Sequence, residues 1–137
     1  DAAGGNIILV GGNDVKSEGE ELSNDRHQKL LNLCGKLSLF ETASLLRKAQ
    51  YLITFDTGIM HIGAALRIPM HVIWGNTVPA FGMYPYYGDK SFTMLKMSEV
   101  HDLKCRPCSK LGYNQCPQKH FKCMMDHDLK EMGQFQK

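Results

Sequence analysis

The sequence is poor in the features that would place a chain in a membrane or on a polyelectrolyte. No apolar run approaches the roughly 20 residues that a membrane-crossing helix needs, and no charged, apolar and small-residue leader opens the chain. Charge of one sign is also scarce. Sixteen basic residues against 14 acidic ones leave +2, too little to imply a nucleic-acid partner or a polybasic membrane anchor. Internal repeats and low-complexity tracts are lacking, which sets aside solenoids and linker-like chains. A complete disulfide framework is disfavoured as well, because the five cysteines are an odd number. With no secretion signal, a reducing cytoplasm is the expected compartment.

What is present is ordinary for a globular domain. The 137 residues are 43% apolar and 22% charged, enough for a single core. After DAAGG the chain runs directly into NIILVGG, which reads as an interior strand, so the chain is expected to be a piece of a longer protein. Asn6 to Val10 is a continuous apolar run closed by Gly11 and Gly12, the pattern of a strand buried on both faces. A short helix follows, with Glu18, Glu20 and Glu21 near its start. Leu30 to Cys34 reads as a second strand. Ser38-Leu39-Phe40-Glu41 is a capping box, and Leu39, Thr42, Ala43, Leu46 and Ala49 share one face of the helix it opens.

Tyr51 to Phe55, Met70 to Trp74 and Phe92 to Lys96 read as three more strands, and Thr57 to Arg67 as a helix stopped before Pro69. Strands alternating with helices imply an α/β fold, a parallel sheet flanked by helices. Residues 1–98 are expected to form that core. Residues 99–137 are expected to form a cysteine-bearing tail, with a last helix over 121–135, packed on the same domain.

The stretch FDTGIMHIGAAL, Phe55 to Leu66, carries more polarity than a helix cap requires. In an open parallel sheet, ligands bind beyond the carboxyl ends of the strands, and Phe55-Asp56-Thr57-Gly58 lies at such an end. Asp56 can cap the helix, and Gly58 lets a ligand approach the backbone. The first N–H groups and the helix dipole favour an anion such as a phosphate. His61 follows Thr57 by four residues and Gly58 by three, so it shares their face, while Ile59, Ile62 and Leu66 are expected to face the core. The plainer alternative is that Asp56 only caps, Thr57 and Gly58 shape the turn, and His61 is a satisfied, partly buried histidine.

D-T-G-x-x-H-x-x-A-A-L resembles the D-[ST]-G-x-x-H signature of glycosyltransferase family 9, the ADP-heptose:lipopolysaccharide heptosyltransferases. LVGGNDVKSEGEEL, NLCGKLSLFETASLLRKAQYLIT and IPMHVIWGNTVP are similar to further family segments in the same order, and C-R-P-C with Cys123-Met124 resembles the tail of many members. The resemblance implies the C-terminal, donor-binding, Rossmann-like half of a GT-B fold. It implies that Asp56, Thr57, Gly58 and His61 hold the diphosphate and ribose of a nucleotide sugar of the ADP-heptose kind. Leu37 matches a position beside the nucleotide base, and Gly12 and Asn13, with Gly11, belong to the first strand-end loop. The implied reaction is inverting and metal-independent and requires no cofactor. Its base lies in an N-terminal half that would also bind the acceptor, lipopolysaccharide core or another glycan, so the fragment alone should be inactive. Association with the inner face of the bacterial inner membrane is compatible with that role. Arg67 and Ile68 depart from the small or glycine residues common in members, and Asn76 from a common proline.

Two rival readings come from other classes. One is a non-catalytic nucleotide-binding or zinc-stapled interaction module, and the other a different GT-B-like enzyme such as an epimerase. Cys105, Cys108, Cys116 and Cys123 read C-x2-C-x7-C-x6-C, which is expected to be four reduced cysteines, or two of them oxidised, packing a small tail, with a structural zinc as the alternative. Lys104, Arg106, Lys110, Lys119 and Lys122 read as a solvated basic face. Trp74, Phe81, Tyr84, Tyr86 and Tyr87 are expected mostly to wall a loop against the core. His71 is expected to be structural, His101, His120 and His127 to lack partners at ligand spacing, and Cys34 to be a buried small apolar residue.

Overall fold

A computed structural model describes residues 5–24, 30–88 and 94–128. It divides into two compact units, one running to Leu45 and the other beginning at Leu46.

In the first unit, strand β1 (Ile7–Leu9) pairs in parallel with β2 (Leu30–Asn32), Ile8 opposite Leu31. A 3-10 turn at Asn13–Val15 leads into helix α1 (Lys16–Asn24), which packs on β2. Gly19 is buried there, where a Cβ would press on the Asn32 side chain and the Cys34 sulfur. Cys34 itself is buried, as expected. The expectation of a first strand buried on both faces is not met. Ile7 and Ile8 are 52% and 39% exposed, because β1 belongs to a two-stranded sheet and, among the described residues, has only β2 beside it.

Helix α2 (Leu39–Leu46) begins in this unit. The Ser38 N–H and hydroxyl both donate to Glu41 Oε2 at 2.7 Å, and the Glu41 N–H donates back to Ser38 Oγ at 3.3 Å. This is the reciprocal capping box, and it holds the Glu41 carboxyl below its ordinary range, the Ser38 hydroxyl contributing most. Thr42 and Leu46 are buried on the expected face. Leu39 is 66% exposed, because it stands in the first turn, beyond the stripe that packs.

In the second unit, β3 (Leu52–Phe55), β4 (Met70–Trp74) and β5 (Leu95–Glu99) form a parallel sheet with β4 in the middle. Helix α3 (Gly58–Ala65) connects β3 to β4. All five residues of β4 are buried, as a central parallel strand must be. The fifth strand lies further along than the expected Phe92 to Lys96. Its residues are only partly apolar, and pairing with β4, Val72 opposite Met97, makes them a strand; part of the expected segment lies outside the described residues.

The core joins Met60 and Ala64 of α3 to Leu52, Met70, Val72, Trp74 and Tyr87. Ile59, Ile62 and Leu66 flank this stripe, partly buried, rather than forming its centre. Tyr87 donates to the Ile68 carbonyl at 3.0 Å, and burial pushes its phenol up to about 12. Phe81, Tyr84 and Tyr86 are exposed, contrary to expectation, because the loop from Gly75 packs inward mainly through Thr77, Pro85 and Tyr87. Arg67, two residues past the end of α3, adopts φ 56, a left-handed position that favours glycine. This gives the Arg67 departure a backbone meaning.

The described part of the tail, residues 100–128, belongs to the second unit and contains a short helix, α4 (Lys122–Met125). The rest of the expected last helix lies outside the described residues from 129 on.

Candidate functional site

At the carboxyl end of β3 the chain turns sharply, with the Thr57 N–H donating to the Phe55 carbonyl at 2.8 Å. Thr57, not Asp56, is the N-cap residue of α3. Its backbone is extended, and its side chain makes no capping hydrogen bond. The expected Asp56 cap is therefore corrected. Asp56 accepts instead from the hydroxyl of Thr77, in the loop after β4. The Thr57 hydroxyl lies 3.4 Å from that of Thr54, whose own hydroxyl also reaches the Phe55 carbonyl at 3.0 Å. Met60 N–H is satisfied by the Thr57 carbonyl at 3.1 Å. The first N–H groups of the helix thus have no side-chain acceptor among the described residues, the condition that makes a helix start receptive to an anion.

Gly58 opens the helix, and a Cβ built there would meet nothing within 4 Å. Gly63, in the same helix, is the opposite case. A Cβ on it would run into Leu52 Cδ2 at 2.6 Å and Met70 Cε at 2.8 Å. Gly63 is small for packing, whereas Gly58 leaves open space. His61 is exposed one turn into the helix, while Met60, Gly63 and Ala64 are buried.

The remaining expected positions lie in the first unit, beyond the carboxyl ends of its two parallel strands. Gly12 and Asn13 follow β1, and Leu37 follows β2. The Gly35 N–H donates to the Gly11 carbonyl at 2.9 Å. Gly35 adopts φ +69, and a Cβ on it would meet Asn13 Oδ1 at 2.5 Å. The two loops therefore touch through the Asn13 side chain, and Leu37 stands two residues beyond that contact.

Sequence reasoning missed Thr77. Its hydroxyl is 2% exposed with its residue and reaches Asp56 across 21 residues. The only local signal was its place just past the end of a buried strand.

The four tail cysteines are free. Among the described residues, no three His, Cys, Asp or Glu side chains come together as a group able to hold a metal ion. Each thiol also has its own contacts or burial. Cys108 Sγ donates to the Cys105 carbonyl at 3.4 Å, and Cys105 Sγ lies 3.7 Å from His120 Nε2. Cys116 Sγ accepts from the Phe121 N–H, which holds that thiol below its ordinary range. Cys123 is buried, and burial pushes its thiol up. His120 also accepts from the Lys122 N–H, and His127 lies 3.2 Å from the Trp74 carbonyl. His71 is buried in β4, 2.6 Å from the Ser98 hydroxyl, a structural position as expected.

The model of glycosyltransferase family 9 (heptosyltransferase) matches residues 1–113. The chain belongs to this family. Among curated family 9 relatives, a lipooligosaccharide heptosyltransferase 2 of Haemophilus influenzae is 32% identical over 114 residues, covering 80% of this chain and 32% of that protein. One from Campylobacter jejuni is 31% identical over 128 residues, covering 88% and 36%. The fold agrees with two solved structures. The E. coli ADP-heptose LPS heptosyltransferase II aligns at TM-score 0.62 with 19% identity, over 88% of this chain and 35% of that one. A family 9 glycosyltransferase from Veillonella parvula aligns at 0.56 with 19% identity, over 75% and 29%. The chain spans about a third of the length of the curated relatives. Among the described residues, no helix is long and apolar enough to cross a membrane.

Proposed function

We propose that this chain is the donor-binding half of an inverting heptosyltransferase that draws its sugar from a nucleotide donor of the ADP-heptose kind and serves lipooligosaccharide or lipopolysaccharide core synthesis. The observation that carries the reading is the start of α3. It is a helix N-terminus with no side-chain cap and open space at Gly58, at the carboxyl end of a parallel strand. Such a start presents N–H groups and a positive dipole end to a diphosphate.

The residues divide the donor by chemistry. The backbone at Thr57 and Gly58 suits phosphate oxygens. Asp56, a carboxylate, suits hydroxyl donors of the ribose or sugar, with Thr77 on one of its oxygens. His61 donates to a phosphate or ribose oxygen. By family resemblance alone, Leu37 is assigned to the nucleotide base and Gly12 and Asn13 to the first strand-end loop.

In the reaction, the acceptor hydroxyl attacks the anomeric carbon as its bond to the diphosphate oxygen breaks, with inversion. The electron pair and negative charge pass to the departing nucleoside diphosphate. The helix start, already oriented, stabilises that charge as it develops. The acceptor proton goes to a base that this chain does not supply, and the acceptor binds in the other half of the full-length protein.

Calorimetry with ADP, UDP and GDP on the full-length protein tests the reading, and ADP is expected to bind most tightly. His61→Ala is expected to weaken ADP binding by roughly three- to tenfold, the loss of one hydrogen bond to a charged group. Unchanged affinity and turnover would remove His61 from the site.

A further inference from the structure

We infer that Arg106 is a positioning residue for the donor site. From the tail, it fixes the loop after β4 so that Thr77 holds the Asp56 carboxylate at the start of α3. The inference rests on the reading of that corner as the donor site.

Arg106 sits between Cys105 and Cys108 in C-R-P-C, and its side chain is only 5% exposed. Nε donates to the Gly75 carbonyl at 2.6 Å, Nη2 to the Thr77 carbonyl at 2.9 Å and Nη1 to the Val100 carbonyl at 3.2 Å. Nη1 also pairs with Glu99 Oε2 at 2.8 Å. A planar guanidinium meets this set in one fixed orientation, which an ammonium on a flexible stem cannot reproduce.

The rest of the tail grips the same loop and the strand end before it. The Cys108 N–H donates to the Asn76 carbonyl at 2.9 Å, and the Asn76 side chain donates to the Tyr113 carbonyl at 2.7 Å. His127 reaches the Trp74 carbonyl at 3.2 Å. A Cβ on Gly75 would meet Met124 Sδ at 2.6 Å. Every residue from Trp74 to Thr77 is therefore held by the tail, and the Thr77 hydroxyl carries that restraint onto Asp56. A tail that merely closed the domain would need to satisfy these carbonyls. The side-chain bond from Thr77 to Asp56 goes further, because it orients a half-exposed carboxylate at the proposed donor corner.

The test uses the full-length protein, with ADP-heptose binding measured by calorimetry without acceptor, KM and kcat for ADP-heptose, and thermal melting. Thr77→Val and Arg106→Lys are each expected to weaken ADP-heptose binding by roughly tenfold, the scale of a hydrogen bond to a charged group. Thr77→Ser, which keeps the hydroxyl, should bind like the parent. The Arg106→Lys/Thr77→Val double variant should bind no more weakly than the worse single one, because both changes cut the same chain of contacts. Arg106→Lys that lowers the melting temperature but leaves ADP-heptose affinity and KM unchanged would overturn the inference, as would multiplicative losses in the double variant. If Arg106→Lys does not fold, Thr77→Ser binding as weakly as Thr77→Val overturns it independently. Asp56→Asn separates the two levels. Unchanged binding in that variant sinks the donor-site reading and this inference together, whereas weakened binding there with intact binding in the Arg106 and Thr77 variants sinks this inference alone.

Discussion

Helix α2 closes its own first turn, with Ser38 and Glu41 bonding reciprocally, whereas α3 begins beside Asp56 and Thr57 and leaves its first turn uncapped. The difference is not a shortage of capping groups. Asp56 and Thr57 are both residue types that cap helices, yet one turns to Thr77 and the other lies against Thr54. A capped start contributes stability and is spent on it. An uncapped start forgoes that stability and leaves its donors without a side-chain acceptor among the described residues, as the proposed donor site requires. Glycine usage repeats the contrast inside α3, where Gly63 is small because Leu52 and Met70 press on it and Gly58 is small beside open space.

The contrast can be broken by substitution. The largest effect is expected from Gly58→Val, which places a branched side chain in the open space. ADP affinity of the full-length protein should fall roughly 100-fold, the scale of misplacing a bound group by about 1 Å. Melting should change little, and a calorimetric titration beside a thermal scan reads both. Gly63→Ala should do the reverse, lowering stability by about 1–3 kcal/mol as an overpacked core does, with any loss of binding following from unfolding alone; urea denaturation measures it.

A smaller effect belongs to α2. Ser38→Ala should cost about 1 kcal/mol, as the loss of a helix cap does. It should also flatten the acid limb of the stability curve. Ser38 holds the Glu41 carboxyl below its ordinary range, so its contribution is complete above that range and is lost as the pH falls through the lowered one. Melting temperatures of the parent and Ser38→Ala between about pH 3 and 7 should converge at the acid end.

The parts of this molecule that were legible in sequence are those whose causes are local. Ser38 and Glu41 are three residues apart, and the box they form is the one expected. Met70 to Trp74 reads as a buried strand because its apolar run is unbroken, and all five of its residues are buried. The D-T-G-x-x-H corner falls where the alternation of strand and helix put it. What escaped depends on distant partners. Asp56 looked like a cap because the threonine it binds lies 21 residues away. Arg106 looked like one more basic tail residue because its acceptors at Thr77 and Gly75 lie 29 and 31 residues away. The fifth strand was placed too early because its state comes from pairing with β4 rather than from its own pattern. The cysteine spacing left zinc and simple packing both open, and the partner or burial of each thiol depends on the folded tail.

The central claim is that the start of α3 is kept open for a diphosphate. Titration calorimetry of ADP into the full-length protein, its Gly58→Ala variant and its Ser38→Ala variant tests it most directly. Gly58→Ala should be as stable as the parent or more so, by up to about 1 kcal/mol, since alanine suits a helix better than glycine, yet bind ADP at least roughly tenfold more weakly. Ser38→Ala should be less stable with unchanged affinity. Full ADP affinity in Gly58→Ala, or a loss confined to Ser38→Ala, would contradict the account.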